Sequence, residues 1–419
     1  MKLGALFWRF WAASGLSNVA DGMVALVLTL TALSLTREPL LISGLGLVEQ
    51  LPWLLFSLVA GALADRLDRR HVLLGVNAAR VAVLAAVAVL ALVGGLTIWL
   101  VFLIALVLGM GETLFDTSEQ SIVPSIVRSD QLERANSRMQ GVEVATNYFL
   151  GPGLGGLIAT VSMVAAFATG SALYLVAAIA VFALRGSYRP ERAHPPASIR
   201  ADVSEGLRYL RTQPVLRRLG VLSGLRMLTF SAVTAILALY AVAPGPMGLS
   251  STGYGFFAAS TAIGAVIASV TGERTVAHLG AAGCLRVTFV AFAITEAAPL
   301  AVNPVAVGAL WMIGTYFVIV WNVVTLTVRQ RLVPGHLMGR VNAVFRLVTF
   351  GAMPVGSLLG GTLMHLTGAR FTFTVCALGT LLLSLGTLAL TDEALVTGRF
   401  ARSPKLTGPA QAGADQLPT

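Results

Sequence analysis

Charge is scarce in this chain: Lys, Arg, Asp and Glu supply 11% of its 419 residues. A domain whose surface faces water carries about a quarter, so most of this surface faces another solvent. Cysteine is nearly absent too. Cys284 and Cys376 both stand in apolar stretches, which reads as packing and excludes a disulfide-held scaffold. The five histidines, His71, His194, His278, His336 and His365, are scattered without ligand spacing, so neither a metal site nor another cofactor is expected. No phosphate loop or nucleophile–base arrangement occurs, which argues against an enzyme. Ten-residue segments of alternating polarity are missing, and with them the pattern of a transmembrane barrel.

What is present is apolar. Hydrophobic residues make up 56% of the chain, and the mean hydropathy is +0.82. They come in runs of roughly 20, the length a helix needs to cross about 30 Å of hydrocarbon while satisfying its own backbone. The 43 glycines suit close helix packing in lipid. Punctuation by charge, Gly and Pro marks twelve spans, near 10–34, 41–64, 72–93, 97–118, 139–160 and 164–184, then 217–243, 252–271, 283–301, 304–328, 341–364 and 370–391. The fold class is all-α integral membrane. The organisation reads as a six-helix bundle over 1–184, a linker over 185–216, a second bundle over 217–391 and a disordered tail over 392–419.

Arginine sets the orientation. Arg66, Arg69, Arg70, Arg128, Arg134, Arg138, Arg329, Arg331 and Arg340 share one set of loops with the linker and tail, while the opposite loops hold Arg37 and Arg370. The positive-inside rule makes both termini cytoplasmic, and the membrane expected is the cell inner membrane. The net charge of +10 is thus an orientation signal spread over short loops, and no nucleic-acid partner is expected. In the linker, Val203, Leu207 and Leu210 fall on one helical face, suited to lying on the inner leaflet. An ordinary solvated linker is the alternative.

The halves echo one another. Arg134-Ala-Asn136 leads into a helix bearing Gly151-Pro152-Gly153-Leu154-Gly155-Gly156, and Arg340-Val-Asn342 leads into one bearing Gly356-Ser357-Leu358-Leu359-Gly360-Gly361. Arg134 and Arg340 stand 206 residues apart, and Gly151 and Gly356 stand 205 apart. Duplicated halves around a central site are a common transporter design.

The loop after the second span reads Gly61-Ala-Leu-Ala-Asp65-Arg66-Leu-Asp68-Arg69-Arg70. It resembles the signature loop of the major facilitator superfamily, with Asp68 where glycine is commonest. Gly151, Pro152, Gly155 and Gly156 resemble the core of the antiporter motif, although Asn147 stands where an upstream glycine belongs. Ser17-Asn18, Asp21, Leu51-Pro52, Pro124 and Leu132-Glu133-Arg134-Ala135-Asn136 extend the likeness to the enterobactin-exporter and macrolide-efflux branch, the drug:proton antiporters. The resemblance implies a monomeric transporter working by alternating access. It also implies a cytoplasmic gate in which Asp65 meets Arg340 and Arg346 across the halves. Headgroup anchoring is the plainer reading of those charges.

Charges left inside spans carry a cost of roughly 3 kcal/mol each and mark function by default. Asp21 and Glu49 fall near mid-membrane, at a rise of about 1.5 Å per residue, and are the candidates for proton coupling. A purely structural bridge is the alternative for each. Glu112 and Asp116 share a helix face with Arg80 at similar depth, either as a salt-bridge cluster or near substrate. Arg80, Asp116 and Glu143 are assigned with the gate, and Glu112, Arg226 and Glu296 with the cavity. Arg226 could bind an anionic group or neutralise Asp21 or Glu49. Asn18, Trp53, Asn147, Tyr240, Tyr316, Trp321 and Asn322 complete the candidate pocket, though each equally suits packing.

The leading expectation is proton-coupled efflux of a small amphiphilic molecule, with membrane lipids as the other partner. Import or lysophospholipid transport on the same fold, and a non-transporting membrane sensor, are the competing readings. Several charges buried at different depths argue against the sensor.

Overall fold

The computed structural model describes residues 3–64, 66–128, 131–184, 199–334 and 337–398. Among them the first half runs α1 (Ala5–Leu35), α2 (Pro39–Leu55), α3 (Ser57–Ala64), α4 (Arg69–Leu92), α5 (Ile98–Ile126), α6 (Leu132–Glu143), α7 (Gly151–Val161) and α8 (Met163–Phe182). A connecting α9 (Ile199–Thr212) follows, then α10 (Pro214–Ala241), α11 (Ser251–Ala297), α12 (Pro304–Leu332), α13 (Met338–Thr367), α14 (Ala369–Leu385) and α15 (Asp392–Thr397).

Eight of these helices are long and apolar enough to cross a bilayer, and α2 and α14 are shorter apolar ones. Local chemistry explains the difference from twelve unbroken spans. The second span breaks into α2 and α3 at Phe56, whose N–H bonds back to the carbonyl of Pro52, a residue that brings no donor of its own. The fifth is α6 and α7 joined by a π-helical turn over Val144–Leu150, just before Pro152. The eighth and ninth are the two limbs of α11, which meet at Gly280 with φ 71°, a conformation that glycine adopts without strain. Asp392 of α15 caps the second limb by accepting from the Ala282 N–H at 2.9 Å.

The two glycine-rich motifs do the same job in each half. A Cβ on Gly151 would lie 2.8 Å from the Met23 nitrogen of α1, and one on Gly356 would lie 2.2 Å from the Leu228 carbonyl oxygen of α10. In each half, therefore, the fifth span lies backbone-to-backbone on the first. Gly356→Ala is expected to cost about 1–3 kcal/mol from overpacking, read as a lower unfolding midpoint of the purified protein. Gly61→Ala is the control, because nothing lies within 4 Å of the added methyl.

One core centres on Met23, Leu84 and Phe167 in the first half, another on Phe289, Trp321 and Val341 in the second. Helix α9 packs on the second half. Gly206 sits against the Arg340 carbonyl, Tyr209 donates to the Leu332 carbonyl at 2.6 Å, and Leu210 joins the core. Its apolar face is thus spent on protein rather than laid on a leaflet.

Candidate functional site

The first half holds a buried charge network. Asp21 of α1 meets Arg80 of α4 at 3.1 Å and accepts a hydrogen bond from Tyr174 of α8 at 2.6 Å. Arg80 Nη1 donates to Ser17 at 3.3 Å, and the guanidinium lies over the rings of Phe115 and Tyr174. The ion pair is oblique, leaving Arg80 Nε and Nη2 without a hydrogen bond. Arg80 is therefore the central cation of the first bundle, not a member of a gate between halves. Asn18 turns its amide back onto Ser14 of its own helix.

Three carboxylates of α5, Glu112, Asp116 and Glu119, act electrostatically on this pair. Glu119 is absent from the sequence candidates because the fourth span reads as ending near 118, whereas α5 continues to Ile126. Its place one helical turn beyond Asp116 was the signal available.

Glu49 of α2 stands apart from Asp21. It faces Glu112 of its own half and Tyr254 of the other, and its Oε1 is buried without a hydrogen-bond partner. It is a carboxylate placed at the seam between halves, deeper than Glu38. Trp53 is half-buried one turn further along α2.

In the second half, Glu296 accepts from Thr229 at 3.0 Å and from Thr380 at 2.6 Å. Arg226 lies near enough to act on its charge and covers the rings of Phe292 and Phe230 at 3.8 and 4.6 Å. Arg226 therefore serves Glu296, and neither Asp21 nor Glu49. Sequence spacing missed Tyr174, Thr229 and Thr380, since a lone hydroxyl in an apolar span carries no pattern.

Most aromatic candidates pack. Tyr240 meets Phe373 edge-on and Trp321 meets Phe289 likewise, while the Tyr316 hydroxyl lies between Thr271 and Thr275. Asn147 presents its backbone carbonyl to Gly22, and Asn322 is exposed.

The signature-loop residues brace the first half. Arg69 donates to the Ser121 carbonyl of α5 at 2.8 Å, and Arg70 to that of Phe182 of α8 at 2.6 Å. Arg66 is exposed, Gly61 lies in α3, and Glu143 ends α6. Asp65 lies outside the described residues. Arg340 pairs with Glu205 of α9 at 2.5 Å, and Arg346 is exposed.

Polar contacts between described residues of the two halves cluster at the face opposite the termini. There Arg37 donates to the Val242 and Ala243 carbonyls, Glu38 meets His365 at 2.8 Å, and Thr160 meets Thr252 at 2.6 Å. Beside them Gly156 abuts Gly255, and Gly361 abuts Ser43. A side cavity of about 400 Å³ opens between α4 and α5, lined by Phe56, His71, Val76, Arg80 and Gly111 among others. Its walls all come from the first half, so it is not the passage between halves.

The chain is similar in sequence and in fold to known proteins. The family model described as transmembrane secretion effector matches residues 4–401. The multidrug efflux pump Tap of Mycolicibacterium fortuitum is 29% identical over 361 residues, covering 82% of this chain and 85% of that protein. Macrolide efflux protein A of Streptococcus pyogenes is 21% identical, covering 90% of this chain and 94% of that protein. Among solved structures, the nucleoside transporter NupG superposes with a TM-score of 0.73 at 13% identity, over 92% of this chain and 99% of that one. Two six-helix halves, a network of buried charges and a family match over almost the full length agree: the chain belongs to the transmembrane secretion effectors of the major facilitator superfamily, multi-pass membrane transporters and not enzymes.

Proposed function

We propose that this transporter exports small amphiphilic molecules in exchange for protons, and that Glu49 carries the coupled proton. The observation behind this reading is the position of Glu49. Its Oε1 is buried and unpartnered, and it lies near enough to a second carboxylate of its own half and to a tyrosine of the other to act on them. A proton there alters the charge at the seam that alternating access must open and close. Asp21 is the second coupling candidate by its depth, its charge balanced within the first half by Arg80.

Export is favoured by relatives named as efflux pumps over most of their length. The arginine-rich face carrying the termini is assigned to the cytoplasm of a cell inner membrane. With the opposite face closed by Arg37 on the Val242 and Ala243 carbonyls and by Thr160 against Thr252, the arrangement suits loading from the cytoplasmic side. Asp65 with Arg340 and Arg346 is proposed as the gate that closes it, on the motif alone.

The test is ethidium and erythromycin flux in proteoliposomes under an imposed pH gradient. Wild-type flux should follow the gradient, and Glu49→Gln should retain downhill flux while losing its response to pH. Flux that ignores the gradient in wild type, with Glu49→Gln and Asp21→Asn both silent, refutes the coupling.

A further inference from the structure

The two buried charge networks are related by the internal repeat, with their signs exchanged. Asp21 and Arg226 stand 205 residues apart, and Tyr174 and Thr380 stand 206 apart, the separations of the repeated motifs. Each network is built at the same junction of its half, among the first, third and sixth spans. In the first half the carboxylate is on the first span (α1) and the arginine on the third (α4). In the second half the arginine is on the first span (α10), and the carboxylate, Glu296, is on the third (the second limb of α11). In both, a hydroxyl of the sixth span donates to the carboxylate, Tyr174 to Asp21 and Thr380 to Glu296. Arg80 and Glu296 are 216 apart, so that pair corresponds by helix rather than by register.

The two networks differ in how they tolerate a proton. Asp21 is in direct contact with Arg80, and neutralising it strands a buried cation whose Nε and Nη2 already lack hydrogen bonds. Glu296 is held instead by two hydroxyls, Thr229 at Oε1 and Thr380 at Oε2, which lie 2.8 Å from each other, with Thr229 also 2.9 Å from the Arg226 carbonyl. Each hydroxyl has one proton to donate, so with both spent on the ionised carboxylate the contact between them has no donor. A proton on the carboxyl supplies one, and a hydroxyl can accept it. Arg226, like Arg80, lies over two rings, Phe292 and Phe230, and has an Nε without a hydrogen bond; the difference is that its described contacts include no direct ion pair with Glu296 for a proton to break. The titratable or charged groups acting on Glu296 are Arg226 from α10 and Cys376 from α14. Glu296 is 1% exposed, as a proton-carrying group must be in the state where its path is shut.

We propose that Glu296 is a second proton-carrying carboxylate, belonging to the second half, which gains and loses H⁺ during transport while Arg226 stays charged. This rests on the proton-exchange reading above and adds a site to it. The step is a proton transfer between water and one carboxylate oxygen, with no other bond made or broken.

Infrared difference spectra of the full chain in liposomes, taken between about pH 5 and 9, test the site without any substrate. A protonated-carboxyl component should appear in wild type, persist in Asp21→Asn and Glu49→Gln, and vanish in Glu296→Gln. Thr380→Val keeps the carboxyl and removes one donor, so it should shift the midpoint of that component. It also serves should Glu296→Gln fail to fold. A Glu296→Gln spectrum that superimposes on wild type, or a Thr380→Val midpoint that does not move, overturns the proposal. In flux assays with ethidium, Glu296→Asp should restore the pH dependence that Glu296→Gln loses. A residue that only held the fold would lower the unfolding midpoint in both variants and leave the pH profile unchanged, and that result also overturns it. Failure of the exporter reading shows separately, as wild-type flux indifferent to the gradient.

Discussion

Replacing Arg80 with alanine should destabilise the protein by about 3–5 kcal/mol, the range for removing one partner of a buried ion pair. Three contributions fall together. Asp21 is left as an uncompensated buried charge, Ser17 loses its donor, and the ring faces of Phe115 and Tyr174 lose their cation. Asp21→Asn alone should also be costly, because it strands Arg80. The double variant Asp21→Asn with Arg80→Met should recover most of the loss, since a neutral apolar replacement of a buried pair is often tolerated. Denaturant unfolding of wild type, Asp21→Asn, Arg80→Met and their double variant in micelles measures the coupling. Additive losses would show that the two residues act independently and that the network is incidental.

The second large effect is conformational. Gly156 and Gly255 bring α7 and α11 together where the halves touch, and a Cβ on Gly156 would lie 2.6 Å from the Ser251 carbonyl oxygen and 2.8 Å from the Gly255 Cα. Gly156→Leu should therefore wedge that face open and reduce transport to background, while each bundle keeps its own packing and the unfolding midpoint stays near that of wild type. Cysteines placed at Thr160 and Thr252, whose hydroxyls are 2.6 Å apart, report the closure. They should crosslink readily on an otherwise wild-type chain and slowly beside Gly156→Leu. Equal crosslinking in both would show that this contact does not limit closure.

Much of this architecture was legible in the sequence, because lipid imposes simple rules. Spans follow from run length, and the repeat shows in glycine motifs whose packing on α1 and α10 has an evident physical reason. Breaks inside spans were not legible. Pro52 looks like other residues of an apolar run, and only the structure shows the chain turning beside it; Gly280, by contrast, lies in the 272–282 gap between the eighth and ninth spans. The site was half visible. Intramembrane charge singled out Asp21, Glu49, Arg80, Arg226 and Glu296, but their pairing depends on which helices meet. Equal depth groups Asp21 with Glu49 as coupling candidates, whereas α1 faces α4 and α8 at that level and gives Asp21 Arg80 and Tyr174. Depth along a helix is readable from one chain. Direction around it is not.

The most direct test of the central claim is proton movement during export. Proteoliposomes containing the protein and a trapped pH-sensitive dye, with no imposed gradient, receive a pulse of erythromycin on one side. Proton–drug exchange predicts that downhill erythromycin flux drives protons the opposite way, seen as a change in lumenal dye signal that Glu49→Gln abolishes. Erythromycin flux with a flat dye trace in wild type would contradict the account.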